Sequence, residues 1–147
     1  MNYTIRKTKE TDLPSILDLI SAFHKEKLND FGVYCDDIVA KELMPKLIPT
    51  SLVLEIDNKI LGVIAGIVTS HIVSSDPLMQ EVIWYVSKDY RRYGIRLYKE
   101  FEKWCTEIGM KHLVMVNMGG RDSTFKKFYE NKGFRLLETQ YIKALGG

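Results

Sequence analysis

A chain of 147 residues with 46% hydrophobic and 27% charged side chains fits a single globular domain spanning residues 1–147, with one core burying roughly two thirds of its unfolded surface. Lys and Arg number 21 against 19 Asp and Glu, for a formal charge of +2. A positive field can therefore come only from local clustering, and composition gives no sign of a nucleic-acid binder. No apolar run approaches the roughly 18 to 20 residues that span a bilayer, and the opening MNYTIRKTKETD lacks an apolar signal core, which points to a soluble cytoplasmic protein with no membrane partner.

Residues 2–7 alternate as a strand with Tyr3 and Ile5 on one face. A helix follows over TDLPSILDLISAFHKEKL: Thr11 is its expected cap, Pro14 fits the first turn, and Ile16, Leu19, Ile20 and Phe23 form an apolar stripe. A shorter helix is expected near 36–47, capped by Asp36 or Asp37 and limited by Pro45. SLVLEIDNKILGVIAGIVTS reads as an antiparallel hairpin about the turn residues Asp57 and Asn58. After the breaker SSDP come a strand over 79–87, a helix over about 94–108 and a strand over 112–117. That order and spacing predict a right-handed βαβ unit with parallel strands. STFKKFYENKGF is a short helix closed by a left-handed Gly133, and FRLLETQYIKAL is expected to supply a last strand. The fold class is α/β of the α+β kind: a mixed, mainly antiparallel twisted sheet with a central parallel βαβ crossover. Cys35 and Cys105 sit in apolar stretches of helical pattern and read as packed, reduced thiols.

The segment YRRYGIRLYKEFEKW, residues 90–104, carries the chemistry. Leu97, Phe101, Trp104, Cys105 and Ile108 fall on one helical face, so the first turn of this helix leaves the end of the 79–87 strand. The amides of Tyr93, Gly94, Ile95 and Arg96 are then expected to be unpaired there, beside the positive end of the helix dipole. A phosphate suits such a site: Arg91 and Arg92 would add charge-assisted contacts, and Gly94 would let backbone approach the ligand. A plain basic turn before a surface helix explains the same residues.

VSKDYRRYGIRLY, with Arg91 and Gly94 in register, and FYENKGF, with Tyr129, Gly133 and Phe134, resemble the cofactor loop and the C-terminal signature of the GNAT superfamily of acetyl-CoA-dependent N-acetyltransferases. The order of elements is similar to that fold across nearly the whole chain. The resemblance implies helices on both faces of the sheet and acetyl-CoA (coenzyme A) as cofactor. It also implies transfer of an acetyl group to a primary amine, by direct attack, on a small molecule, a peptide N-terminus or a lysine. Two positions depart from the pattern: Arg96 stands where the family has a small residue, and Asp122 falls near a frequent asparagine.

In this resemblance the pantetheine arm lies between two splayed strands, held by backbone near Tyr85, Val86 and Ser87, and Tyr129 protonates the leaving thiolate. Phe125, Phe128 and Tyr129 at helical spacing also read simply as core. Glu81, the only carboxylate of MQEVIWYV, is the candidate base, with a pKa raised by a partly dry cleft; a solvent-facing residue paired with a lysine is the alternative. Asn117 would cap the following loop or contact the cofactor. Trp84 and Tyr85 point oppositely, so one of them is expected to line the acceptor cleft or an oligomer surface. No histidine spacing suggests a metal site. A catalytically diverged CoA-binding or interaction module is the second reading. A nucleic-acid binder, using Lys88, Arg91, Arg92, Arg96, Lys99 and Lys103, is disfavoured because Glu100, Glu102 and Glu107 compensate those charges. An exposed sheet edge allows two chains to pair as a homodimer.

Overall fold

A computed structural model describes residues 2–118 and 124–146. Its sheet has five strands in the order β1 (Tyr3–Lys7), β2 (Ser51–Ile56), β3 (Lys59–Thr69), β4 (Leu78–Val86) and β5 (His112–Val114). The first three pairings are antiparallel and β4–β5 is parallel. Helix α1 (Leu13–Lys27) and α2 (Asp37–Leu47) precede β2, α3 (Gly94–Glu107) joins β4 to β5, and α4 (Thr124–Asn131) follows. No described helix is long and apolar enough to cross a membrane.

Two apolar layers hold the helices on the two faces of the sheet. On one face Ile16, Leu19 and Ile20 of α1 and Met44 and Leu47 of α2 pack on Val53, Val63, Ala65, Ile83 and Tyr85. On the other, Leu97, Tyr98, Phe101 and Cys105 of α3 pack on Leu52, Leu54, Ile56, Ile64, Met79 and Val86. Tyr98 is fully buried although it lies outside the expected stripe, whereas Ile108 is exposed and Trp104 is covered from outside by the Lys7 ammonium, 3.7 Å from its ring. The β2–β3 turn places Asp57 and Asn58 at φ 49° and 65°, the left-handed pair that matches hairpin twist.

Three expectations need correction. Asp12, not Thr11, orders the start of α1: its buried carboxylate accepts the Lys9 N–H at 2.8 Å and the Arg6 guanidinium at 2.8 and 3.0 Å. The Arg6 hydrogen bonds outweigh burial and hold this carboxyl below the usual range. FRLLETQYIKAL forms no strand; residues 134–146 carry no regular structure, and Leu136, Leu137, Tyr141, Ile142 and Leu145 are exposed. Adjacent apolar pairs at 136–137 and 141–142 break the two-residue alternation that would give a strand one buried face. The parallel β4–β5 pair consequently forms an edge of the sheet. Lastly, β5 stops at Val114 rather than 117, because the polar groups of Val116 are taken by side chains.

Candidate active site

The β4–β5 ladder runs only from Leu78–His112 to Gln80–Val114. From Glu81 onward, β4 has no strand partner on that edge among the described residues, so the two parallel strands part. A bulge accompanies the parting: Ala65 faces Ile83 and Gly66 faces Glu81, leaving Val82 as an extra, exposed residue. The insertion reverses side-chain parity. Met79 packs in the α3 layer and Ile83 in the α1 layer although both are odd-numbered; Glu81 therefore shares its face with Met79, Trp84 and Val86. Gly66 makes the bulge possible, since a Cβ there would stand 2.7 Å from Met79 Sδ and 2.8 Å from the Gln80 carbonyl.

Glu81 is 6% exposed, which removes the solvent-facing alternative. Its Oε1 accepts a long hydrogen bond, 3.5 Å, from the Val116 N–H. No cation among the described residues pairs with it, and burial pushes its pKa up to about 7 against a small opposing effect of the Val116 amide. Tyr129, buried on α4, donates from Oη to the Val116 carbonyl at 3.0 Å. Burial, then the nearby Glu81 charge, raises the pKa of this phenol, so it holds its proton at neutral pH. Tyr129 also belongs to an aromatic cluster with Trp84, Phe125, Phe128 and Phe134. The core reading of this residue is thus met by its packing.

The turn from β4 into α3 is tighter than expected. Residues Lys88–Tyr93 wind as a 3-10 helix directly into α3, with the Tyr90 N–H on the Ser87 carbonyl at 2.8 Å and the Gly94 N–H on the Arg91 carbonyl. The Gly94 amide is therefore not free, contrary to expectation, because the incoming 3-10 turn supplies it with a carbonyl. Backbone at the strand end is similarly engaged: the Ser87 N–H donates to Leu61 at 2.8 Å, and the Val86 carbonyl accepts from Arg91 Nε at 3.1 Å. Gly94 is helical, and a Cβ there would make ordinary contact with Val86 and Trp84 at 3.8 and 3.9 Å. Tyr93 is a core anchor, 7% exposed and 5.0 Å ring to ring from Tyr3, while Ile95 is exposed.

The three arginines of the turn part company. Arg92 lies over the rings of Tyr90 and Tyr93 and donates to the Asp89 carbonyl at 3.0 Å. Arg96 lies 5.1 Å over Tyr3 and 5.6 Å over Tyr93, leaning toward β1 and away from the β4–β5 gap. Arg91 instead joins Glu26 of α1, which also accepts from Tyr85 Oη at 3.0 Å. Burial works to raise the Glu26 pKa, and the Arg91 and Tyr85 hydrogen bonds outweigh it.

Trp84 and Tyr85 point to opposite faces, Trp84 half-buried on the α3 side and Tyr85 buried on the α1 side. Trp84 Nε1 donates to the Gly94 carbonyl at 3.2 Å within the aromatic cluster, and Tyr85 is buried against Phe23. Asn117 lies half-buried past the end of β5, and Asp122 lies outside the described residues. An open groove of about 530 Å³ between α1 and the β2–β3 hairpin is lined by Asp12, Asp18, Glu55 and Lys59 among others, but by neither Glu81 nor Tyr129. Val116 and Glu26 carry no signal in the sequence. Both act through contacts made 35 and 65 residues away, which no local pattern reports.

A buried acid with a near-neutral pKa and a protonated phenol meet at one backbone residue beside a strand gap, an arrangement chemically able to exchange protons at neutral pH. The sequence matches the model of the acetyltransferase (GNAT) family over residues 14–134, and the chain belongs to that family. Similar solved structures include an aminoglycoside acetyltransferase from an uncultured soil metagenomic sample, 23% identical, with a TM-score of 0.71 over 98% of this chain and 97% of that one. Glucosamine-6-phosphate N-acetyltransferase from Arabidopsis thaliana is 14% identical, with a TM-score of 0.71 over 99% and 100% of the two chains. An aminoglycoside N-acetyltransferase in complex with CoA is 15% identical, with a TM-score of 0.70 over 97% and 94%. At these identities the likeness is one of fold. No curated protein matches the sequence significantly.

Proposed function

We propose that the protein is an N-acetyltransferase that moves the acetyl group of acetyl-CoA to a primary amine by direct attack. The observation that carries this reading is the parting of β4 from β5 with Glu81 and Tyr129 both at Val116. The free edge of β4 beyond Gln80 offers backbone groups to a pantetheine amide. Arg92 and Arg96, with no carboxylate partner among the described residues, offer charge to a pyrophosphate at the start of α3, together with Arg91. Acetyl-CoA supplies the activated acyl group. Glu81 takes the proton that the acceptor's ammonium must lose before it attacks, and a pKa near 7 suits a base at neutral pH. Tyr129 Oη delivers a proton to the leaving sulfur, consistent with a phenol that stays protonated.

Two of the similar structures are aminoglycoside acetyltransferases and one acetylates glucosamine 6-phosphate, so amines on sugars are the first acceptors to test, ahead of peptide N-termini and lysines. Calorimetric titration with acetyl-CoA, then thiol release over such a panel, tests the reading. An absence of binding at high micromolar acetyl-CoA overturns it. Binding without turnover on any amine favours a diverged CoA-binding module.

A further inference from the structure

Arg91 reaches the start of α3 with its charge already matched. Its Nη2 donates to both oxygens of Glu26, at 2.5 and 2.6 Å, and its Nε to the Val86 carbonyl. Tyr85, the penultimate residue of β4, donates its hydroxyl to the same carboxylate. Glu26 sits in the last turn of α1, so one carboxylate ties that helix both to the strand and to the turn that leaves it. Arg92 and Arg96 are placed differently, being held by tyrosine rings with no carboxylate partner among the described residues. Only the arginine that heads the loop is neutralised.

We infer that Glu26 sets the affinity of the turn for its cofactor: the Glu26–Arg91 ion pair is a latch, and a pyrophosphate opens it by taking Glu26's place on the Arg91 guanidinium. The inference rests on the reading of residues 91–96 as the pyrophosphate turn. A guanidinium in contact with a carboxylate presents little net field to a second anion, so the two anions compete for one cation. The exchange is energetically accessible because the pair is not deeply buried, with the two side chains 46% and 33% exposed, and ion pairs at such exposure are weak. Opening the latch also frees the end of α1 from the loop, leaving Glu26 held by the Tyr85 hydroxyl. Occupancy of the turn is thereby linked to the α1–α2 connection at residues 28–36.

The opposite arrangement, in which Glu26 props Arg91 in a binding-ready pose, predicts the opposite sign, and calorimetry decides between them. CoA is titrated into the full chain as wild type, Glu26→Gln, Arg91→Ala and the double variant, with thermal midpoints measured in parallel. Removing a weak competing ion pair tightens CoA by about two- to fivefold in Glu26→Gln. Arg91→Ala then costs more affinity in the Glu26→Gln background than in wild type. Tyr85→Phe, which removes one of the bonds holding Glu26, tightens CoA by a smaller factor and carries the test if Glu26→Gln does not fold. Unchanged or weaker binding in a folded Glu26→Gln, or in Tyr85→Phe when it stands in, overturns the latch alone. Wild type that binds no CoA overturns the cofactor reading and the latch with it.

Discussion

Glu81 and Tyr129 meet at one residue: the carboxylate accepts the Val116 N–H at 3.5 Å and the phenol donates to the Val116 carbonyl at 3.0 Å. Val116 follows β5 where that strand has left β4, so its backbone groups cannot be satisfied by the sheet. Val116 is itself exposed, and two side chains from β4 and α4 engage its N–H and carbonyl instead. The same contacts bring a carboxyl and a phenol together beside the gap.

Glu81 gives this arrangement a pH signature. Its pKa is raised from 4.5 to about 7, so between those values the unfolded chain releases a proton that the folded chain retains. Stability therefore falls as pH rises through this window, by roughly 2 to 4 kcal/mol in all, and levels off above about pH 7. Glu81→Gln removes the titration: urea denaturation from pH 4 to 8 should show this slope in the wild type and a flatter profile in the variant. Turnover should move the other way, rising with deprotonation near pH 7 in the wild type and dropping about 10²-fold or more in the variant. A variant with the wild-type rate would remove Glu81 as the base.

Tyr129→Phe deletes one hydroxyl and keeps the ring among Trp84, Phe125, Phe128 and Phe134. The lost bond to Val116 should cost about 1 to 2 kcal/mol, read by thermal or urea denaturation. If the phenol serves the leaving sulfur, the rate falls about 10- to 10²-fold while CoA affinity stays within twofold. A stability loss with an unchanged rate assigns Tyr129 to the core alone.

Two glycines near the site should respond differently to the same added methyl group. At Gly66 a Cβ would collide with the Gln80 carbonyl at 2.8 Å as well as with Met79 Sδ. Gly66→Ala should therefore destabilise by about 1 to 3 kcal/mol and disturb the bulge that orients Glu81. At Gly94 the backbone is helical and the nearest neighbours would lie 3.8 Å away. Gly94→Ala should leave stability unchanged or improve it by up to about 1 kcal/mol. Any loss of CoA affinity in a folded Gly94→Ala would then come from the ligand side, and full affinity would refute a close backbone approach at this position.

The elements governed by local chemistry were legible in the sequence. Asp57 and Asn58 mark the hairpin, Asp36 accepts the Ile38 and Val39 amides at the start of α2, and Gly133 closes α4 at φ 88°. Glu81 and Tyr129 could be singled out as well, one as a lone carboxylate in an apolar strand and the other through the family resemblance. What was not legible depends on partners distant in the chain. A strand at 134–145 needs a neighbour and a buried face, and strand-forming residues without them make no strand. The bulge at Val82 arises from the register between β3 and β4. The fate of Arg91 depends on Glu26, whose place beside Tyr85 follows from the docking of α1 on the sheet.

Arg96 stands where the resembling family keeps a small residue, and its position says which consequence to expect. The guanidinium lies over Tyr3 and Tyr93, on the β1 side of α3, so it does not enter the gap between β4 and β5. It should act on a pyrophosphate as an added charge held at the edge of the turn, not as an obstruction. Arg96→Ala should weaken CoA by about two- to fivefold at low ionic strength, with the difference shrinking as salt screens the charge. Loss of the stacking on exposed Tyr3 and buried Tyr93 should cost about 0.5 to 1 kcal/mol of stability. Calorimetry at 20 and 300 mM salt, concentrations chosen so that the Debye length falls from about 20 to about 6 Å, separates the alternatives. Tighter binding of CoA by Arg96→Ala at both concentrations would show that the arginine crowds the site.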